Sequence, residues 1–367
     1  MCTALTYFDA QSRPYVGRTL ELDLILPSWL GYVPTGTAFS SQVPGKDAVA
    51  WTSRHAFVGV GAPRVVPRPG VPVSAASLVL FDGINDAGLA INANAYPDTG
   101  ETPDSGGPGA VLEAAELTTW LLGNFASVAE ARDALDRQPI NATRMEMAGN
   151  VPYPLHLMVT DASGHSITLE GREGRMQVLD NPVHVITNGP SFEWHLTNLK
   201  NWTHLDNTDR SRATFGSLTV TQPDSGIATT LLPGSNTAVG RFVRAVFYTN
   251  FVEKVAEPDA AVSTLAAIIN NFDRPRGATI DLPGGGGEGV SFGGGPEAKD
   301  VTTEYTTHSF MADTARTRYY LRSYTALNWS FVDLARLTPI TSLRLIPLDS
   351  LDMLGGDATD LLAQGSE

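Results

Sequence analysis

The sequence is poor in cysteine, in lysine and in long apolar runs, and each shortage excludes a class of protein. Of its 367 residues only Cys2 is a cysteine, so no disulfide and no cysteine-based metal cage can form within the chain. Lysine occurs only at positions 46, 200, 254 and 299, and no cluster of basic residues stands out. With a formal charge of −14, we expect no binding to nucleic acid or to an anionic membrane, because both reward clustered positive charge.

Long apolar stretches are also missing. No run approaches the about 20 residues of a membrane-spanning helix, and the first residues lack the features of a secretory signal. We therefore expect a cytoplasmic protein. The seven histidines show no metal-binding spacing, so we expect no metal and no organic cofactor. Hydrophobic residues make up 42% of the chain, which is enough for a sizeable core.

Short β-prone runs alternate with helical patterns along the chain. The pattern predicts strands over Thr3–Phe8, Tyr15–Leu26, Ala56–Val60, Ser77–Phe81 and Leu89–Ala95, then over Leu155–Thr160, Ser166–Glu170, Tyr305–Ala312, Arg318–Tyr324 and Asn328–Asp333. It predicts a turn over Asp82–Gly88 and helices over Ala110–Leu122, Ala131–Leu135, Arg241–Val252 and Asp259–Phe272. Strands and helices in this order favour a layered α+β domain over an alternating βαβ one.

Residues 2–355 are predicted to form one domain. The glycine-rich stretch 283–296 is interpreted as a flexible connection, because no Gly-Lys-Ser/Thr follows it as a phosphate loop requires. Residues 356–367 are predicted to be a flexible tail.

Cys2 is chemically unusual if Met1 is removed, as we expect before a small residue. It then carries a thiol with an ordinary pKa of about 8.5 and a free α-amine of about 7.7–8.0. One residue could thus supply both nucleophile and general base. The position of Cys2 alone, however, favours the interpretation that it is an ordinary residue near a terminus. Motifs in the rest of the chain decide between this interpretation and a role as nucleophile.

Five motifs follow one another in a familiar order: Met1–Thr3, Gly17–Glu21, Asp82–Leu89, Thr187–His195, and Leu232–Gly234 followed by Arg241–Arg244. Together they resemble the choloylglycine hydrolase and penicillin V acylase family, one of the N-terminal-nucleophile hydrolases. The resemblance implies a four-layer αββα sandwich and hydrolysis of linear, non-peptide amide C–N bonds.

The resemblance also assigns roles by position. Cys2 matches the nucleophile, and Arg18 matches the arginine beside the sulfur, where a fixed guanidinium stabilises a thiolate. Asn188 matches the side chain that donates to the developing oxyanion, a contact typically worth about 10²–10³ in rate. Arg241 matches a later active-site arginine.

Two positions depart from the family pattern. Glu21 stands where the family has an aspartate that holds the α-amine. Asp23 lies at the same strand parity and is the alternative, although the register of Glu21 is the matching one. Ala95 stands where bile salt hydrolases have Asn and penicillin V acylases have Tyr. Its backbone N–H can still serve the oxyanion, and neighbouring Asn94 is a supporting candidate.

The substrate remains open at this point. Trp29, Met145 and Met147 are candidates for an apolar acyl pocket. A penicillin V acylase-like activity on small-molecule N-acyl amides ranks first, with conjugated bile salts and N-acyl homoserine lactones as alternatives. A catalytically silent ligand-binding protein is the alternative of another class. The resemblance further implies a homotetramer, assembled through a loop within residues 201–232.

Overall fold

The computed structural model describes residues 1–23, 26–64, 73–96, 109–145, 151–282 and 301–366. Its strands, in chain order, are β1 (Cys2–Phe8), β2 (Pro14–Leu22), β3 (Trp29–Val33), β4 (Ala38–Ser41), β5 (Asp47–Thr52), β6 (Phe57–Pro63), β7 (Leu78–Asn85), β8 (Ala90–Ala95), β9 (Ala110–Glu113), β10 (Ile140–Asn141), β11 (Arg144–Met145), β12 (Val151–Pro152), β13 (Leu155–Thr160), β14 (Ser166–Arg172), β15 (Arg175–Asp180), β16 (Val185–Ile186), β17 (Arg212–Phe215), β18 (Leu218–Thr221), β19 (Tyr305–Asp313), β20 (Arg318–Ser323), β21 (Ser330–Asp333), β22 (Arg344–Pro347) and β23 (Gly356–Asp357).

The α-helices within these ranges are α1 (Leu117–Asn124), α2 (Val128–Leu135), α3 (Phe192–Asn198), α4 (Ala238–Phe251), α5 (Pro258–Asn270), α6 (Leu334–Leu337) and α7 (Thr359–Ala363). Local chemistry explains where several of them begin. Side chains of Ser127, Ser191 and Thr237 accept hydrogen bonds from the first turns of α2, α3 and α4. None of these helices is both long and apolar enough to cross a bilayer.

Two large sheets hold most of the strands. One has the order β16-β1-β2-β19-β20-β21-β23, and the other has the order β15-β14-β13-β8-β7-β6-β3-β22. Helices α4 and α5 pack on the first sheet and α1 packs on the second. The sheets meet through a shared core that contains Leu20 from the first and Val60 and Met158 from the second. This is the αββα layering that the resemblance implied, and that prediction is confirmed.

The inner face of the first sheet carries Cys2. Antiparallel pairing of β1 with β2 puts Cys2 opposite Leu20, and Ala4 opposite Arg18. Alternate residues of a strand share a face, so the thiol and the guanidinium point to the same side. Arg18 contacts Asp82 of the second sheet, which shows that this side lies between the sheets.

The outer face of the same sheet lies against α5. A Cβ at Gly17 would come within 2.8 Å of Ile269, so the face that carries Gly17 also packs on the helix. Thr19 and Glu21 share this face by their spacing in β2. Ser309 of β19 lies opposite Thr19 and therefore shares it too.

Several boundaries differ from the sequence-based expectation. β2 ends at Leu22, so Glu21 and Asp23 do not share a strand face as expected. The predicted turn over Asp82–Gly88 is wrong in its first half, because residues 82–85 continue β7. The chain turns only after Asn85, whose side-chain oxygen accepts hydrogen bonds from the Ala87 and Leu89 amides.

The predicted helix over Ala110–Leu122 is also partly wrong. Its first four residues form β9, which pairs with β5 and β10. The Glu113 side chain then accepts from the Ala115 N–H and starts a short 3₁₀ turn, after which α1 begins at Leu117. Strand pairing thus overrides the helical spacing of the apolar residues.

The C-terminal segment is packed, contrary to the predicted flexible tail. Residues 356–366 include β23, α7 and a β-bridge between Ser366 and Leu345. Ala358 and Leu362 are buried in the shared core that also contains Leu20 and Val60. Burial of these apolar side chains favours the ordered segment.

Gly59 allows β6 to approach β7 closely. A Cβ at this position would lie 2.3 Å from the backbone oxygen of Asp82. Gly59→Ala is therefore expected to lower the free energy of unfolding by about 1–3 kcal/mol, measured by urea denaturation. Gly123→Ala in α1, where the nearest atom lies at 3.5 Å, is the control and should be neutral or stabilising by up to about 1 kcal/mol. Equal stability of the two variants would contradict the close-approach argument.

Candidate active site

Cys2 lies at the start of β1 with its side chain almost fully buried. Its sulfur accepts a contact from Arg18 Nη2 at 3.6 Å. The pairing of β1 with β2 explains this proximity, since both side chains project from neighbouring positions on the inner face. A thiol beside a guanidinium is the arrangement in which a thiolate is stabilised, and the structure brings these two sequence-predicted residues together.

Arg18 is held by acceptors from the second sheet. Its Nη1 lies 2.9 Å from Asp82 Oδ2, its Nη2 donates to the Ala93 carbonyl at 2.6 Å, and its Nε donates to Asn94 Oδ1 at 3.3 Å. Burial alone would lower the pKa of Arg18, but the charges of Cys2 and Asp82 outweigh burial and raise it. The guanidinium is therefore charged and fixed beside the sulfur.

Asp82 is a candidate site residue that the sequence interpretation missed. Its Oδ2 also contacts His308 Nε2 at 3.1 Å, and its Oδ1 accepts from the Tyr319 hydroxyl. Burial tends to raise the pKa of Asp82, yet the hydrogen bond and charge of His308 and the charge of Arg18 leave it lowered. The sequence signal for Asp82 was its place at the start of one of the family-like motifs. That motif is rich in turn-forming residues, so Asp82 was assigned to a turn.

Asn188 and Arg241 enclose the backbone of Cys2. The Cys2 N–H donates to Asn188 Oδ1 at 3.0 Å, and Arg241 Nη2 donates to the same oxygen at 2.6 Å. Arg241 Nη1 donates to Thr3 Oγ1 at 2.8 Å and to the Cys2 carbonyl. Burial lowers the pKa of Arg241, partly offset by the charges of Glu21 and Cys2. Both predicted residues therefore lie in the site.

The amide nitrogen of Asn188 points at Ala95. It donates to the Ala95 carbonyl at 2.6 Å, which places the two sequence-predicted oxyanion residues side by side. Asn94, the supporting candidate, lies beside these residues. Its amide donates to the Ile186 and Thr187 carbonyls, and its oxygen accepts from Arg18, so this side chain is engaged inside the protein.

Glu21 is buried on the outer face of β2. Its Oε1 accepts from the Thr306 hydroxyl at 2.9 Å, and its Oε2 has no hydrogen-bond partner in the described ranges. Burial raises the pKa of Glu21, against the lowering effect of Arg241 and of the N-terminal amine. Glu21 does not contact the Cys2 nitrogen while Met1 is attached. Asp23 lies beyond the end of β2 and is half-buried.

Met1 continues the strand by one residue. Its carbonyl accepts from the Glu21 N–H at 2.7 Å, and its amine donates to the Glu21 carbonyl at 2.7 Å. The same amine lies 3.1 Å from Glu304 Oε1. The peptide bond between Met1 and Cys2 is thus held by β2 in the unprocessed chain.

A small apolar cavity, about 10 Å³ in volume, lies beside the thiol. Besides Cys2 and Arg18 it is lined by aliphatic and aromatic side chains, namely Leu20, Leu22, Leu26, Phe81, Ala93, Ala95 and Leu155. Trp29 does not line it and packs instead against a separate hydrophobic core that contains Leu117 and Leu121 of α1. Met147 and the side chain of Met145 lie outside the described part of the chain. Across the described ranges, no three His, Cys, Asp or Glu side chains are grouped to hold a metal ion.

Comparison with known proteins agrees with this geometry. Residues 2–339 match the family described as linear amide C–N hydrolases, choloylglycine hydrolase family. Among curated relatives, a conjugated bile acid hydrolase from Lactobacillus gasseri is 27% identical over 288 residues, covering 77% of this chain and 85% of the relative. A penicillin V acylase from Pectobacterium atrosepticum is 26% identical over 308 residues, covering 77% and 72%.

Solved structures show the same fold. A penicillin V acylase from Agrobacterium tumefaciens superposes with a TM-score of 0.74 at 24% identity, covering 100% of this chain and 98% of that one. The R18L variant of a conjugated bile acid hydrolase from Clostridium perfringens superposes with a TM-score of 0.76 at 21% identity, covering 94% and 97%. The layered fold is therefore that of an amide hydrolase. The chain belongs to the choloylglycine hydrolase family of linear amide C–N hydrolases.

His195 supports Asn188 from behind. Its Nε2 lies 2.9 Å from the Asn188 backbone oxygen, which can only accept, so Nε2 carries the proton. Nδ1 has no partner among the described residues, and the ring stacks on Phe242. Burial lowers the pKa of His195 from 6.5 to about 4. Between about pH 4 and pH 6.5 the His195 ring is therefore neutral in the folded protein and protonated in the unfolded chain.

This lowered pKa predicts acid sensitivity. Between pH 6.5 and about 4 the unfolded chain binds the extra proton, so stability falls as pH drops through that window, by at most about 3 kcal/mol. His195→Gln keeps an N–H donor but cannot titrate, and should flatten this part of the stability curve in urea titrations. The exposed His204, changed to Gln, is the control and should leave the slope unchanged. An unaltered slope in His195→Gln would refute the assignment.

Proposed function

We propose that this protein hydrolyses N-acyl amides with an apolar acyl group, as a penicillin V acylase does, using the Cys2 thiolate. The observation that carries this proposal is the convergence of Arg18, Asn188 and Arg241 on Cys2, whose side chain lines a small apolar cavity together with Arg18. An aliphatic lining favours an acyl chain through the hydrophobic effect. The family's activity on linear amides supplies the reaction class.

Removal of Met1 starts the proposed mechanism. It frees the Cys2 nitrogen as an amine, already positioned 3.0 Å from Asn188 Oδ1. This amine takes the thiol proton, directly or through one water, and Arg18 stabilises the resulting thiolate. We assign Glu21 rather than Asp23 to the amine. Glu21 is buried beside the terminus, and its Oε2 has no partner among the residues that the structure describes, whereas Asp23 lies past the end of the strand.

The thiolate then attacks the amide carbonyl. Asn188 Nδ2 and the Ala95 N–H would stabilise the oxyanion, with the substrate oxygen replacing the Ala95 carbonyl as acceptor of the Asn188 amide. The C–N bond breaks as the Cys2 ammonium returns its proton to the leaving amine. Water, deprotonated by the Cys2 amine, hydrolyses the thioester and releases the carboxylic acid and the thiol.

A second candidate substrate class is the conjugated bile salts. Relatives named for bile acid or bile salt hydrolysis match 68–88% of this chain at 25–28% identity. The cavity itself favours neither class, because Ala95 contributes only a methyl group to its wall. N-acyl homoserine lactones offer the same combination of apolar acyl group and amide. A catalytically silent binding protein is the remaining alternative.

Cys2→Ala tests the mechanism. It should reduce amine release from penicillin V, glycocholate, taurocholate or a long-chain acyl homoserine lactone by at least about 10⁴-fold, because no other thiol is present. Activity should follow the fraction of chains that lack Met1, measured by intact mass after expression with methionine aminopeptidase inhibited. Equal turnover by native protein and Cys2→Ala would remove Cys2 from the mechanism. No turnover of any substrate by processed native protein would favour the silent alternative.

We also propose assembly into a homotetramer through residues 201–232. Strands β17 and β18 in this segment form a two-stranded hairpin whose residues are all exposed. Phe215 and Leu218 at its tip are 68% and 62% exposed. An isolated apolar hairpin is stabilised by burial against another surface, and a second copy of this chain would provide it.

Replacing the two tip residues tests this assembly. Phe215→Glu combined with Leu218→Glu should convert a tetramer to smaller species in light scattering coupled to size exclusion, because it places charges in an apolar contact. Met353→Glu, at a residue that is 98% exposed outside this segment, is the control and should leave the mass unchanged. A monomeric native protein, or a tetramer in both variants, would contradict the proposal.

A further inference from the structure

A bulge in β19 turns His308 toward the inside of the molecule. Thr306 lies opposite Glu21 on the outer face of the first sheet, whereas His308 lies opposite Leu20, and the register shifts between the two. Regular alternation would put Thr306 and His308 on one face, so the extra residue reverses the direction of His308. The buried ring therefore enters the space between the sheets, where it contacts Asp82. The proposed mechanism gives His308 no task.

His308 shares an acceptor with Arg18. Arg18 Nη1 lies 2.9 Å and His308 Nε2 lies 3.1 Å from the same oxygen, Asp82 Oδ2. An ionised carboxylate only accepts hydrogen bonds, so His308 Nε2 carries the proton. The Tyr319 hydroxyl donates to the other oxygen. Burial and the charge of Asp82 raise the pKa of Tyr319 well above its usual value, so this hydroxyl keeps its proton. Donors from β2, β19 and β20 thus hold one buried carboxylate.

The Asp82 carboxylate and the Cys2 sulfur compete for one guanidinium. Arg18 contacts both of them, through Nη1 and Nη2 respectively. A carboxylate with fewer other donors would draw the guanidinium toward itself, and its concentrated negative charge would oppose a thiolate nearby. Hydrogen bonds from His308 and Tyr319 offset that charge, which leaves the positive charge of Arg18 available to the sulfur.

We propose that His308 is a positioning residue of the amide hydrolysis and that it acts on the Cys2 sulfur through the Asp82 carboxylate. This role rests on the proposed use of Cys2 as nucleophile. Other charged groups lie near the sulfur, namely Arg241 of α4, Glu21 on the outer face of β2 and the α-amine of processed Cys2. Their contacts within the described ranges do not include His308 or Asp82, so a change at His308 leaves these groups in place.

The ultraviolet absorbance of the thiolate in Met1-free protein tests this role. Since the chain has one cysteine, the difference between each protein and its Cys2→Ala form reports this thiol alone. His308→Leu removes the donor at similar volume and should raise the pH at which the thiolate forms by about one unit. Amide turnover at neutral pH should then show a lower kcat with KM unchanged. His308→Gln keeps an N–H donor and should restore the native midpoint. His55→Leu, in a His–Asp pair outside the site, is the control and should leave it unchanged.

Tyr319→Phe provides a second variant, because it removes one hydroxyl from a buried ring and keeps the shape of that ring. It should raise the midpoint in the same direction, since Asp82 Oδ1 loses its donor. A folded His308→Leu or Tyr319→Phe protein with an unchanged midpoint, or equal midpoints in His308→Leu and His308→Gln, would overturn the proposal. The absorbance measurement needs no substrate, so failure of the proposed function would show separately, as no amide turnover by processed native protein.

Discussion

A buried guanidinium lies between the two sheets, and the site is arranged around it. Burying a charge is costly unless it is paired and hydrogen-bonded. Arg18 projects from the first sheet, but its acceptors, Asp82 and the Ala93 carbonyl, belong to the second. The charge is therefore satisfied only when the sheets are packed. The same packing fixes a positive group 3.6 Å from the Cys2 sulfur, so the fold and the reactivity of the thiol depend on one interaction.

Chain termini are usually loose, yet the first strand, β1, is held from several sides. Pairing with β2 fixes one edge of β1. Arg241 and Asn188 bind the carbonyl and the amide of Cys2, and His195 in turn holds the Asn188 backbone. Side chains between residues 188 and 241, far from Cys2 in the sequence, therefore help to hold the start of the chain in place.

One sheet separates two different environments. Its inner face presents the thiol to an apolar cavity, and its outer face carries Glu21, which accepts a hydrogen bond from Thr306. The alternation of side chains along a strand makes this possible within a few residues, because Arg18 and Glu21 point to opposite sides. Thr306 in turn accepts from the Arg274 backbone N–H, so hydrogen bonds on the outer face lead to the carboxylate beside the N-terminus.

The sequence by itself determined the family, the αββα layers and the grouping of Cys2, Arg18, Asn188 and Arg241, because several ordered motifs carried that information together. It misplaced Asp82 in a turn and read β9 and the packed C-terminus incorrectly, because local composition reports only local preference. Asp82 contacts His308 and Tyr319, which lie 226 and 237 positions away. Only the tertiary structure could reveal these contacts, since strand pairing and sheet packing decide which distant side chains surround the buried Asp82 carboxylate.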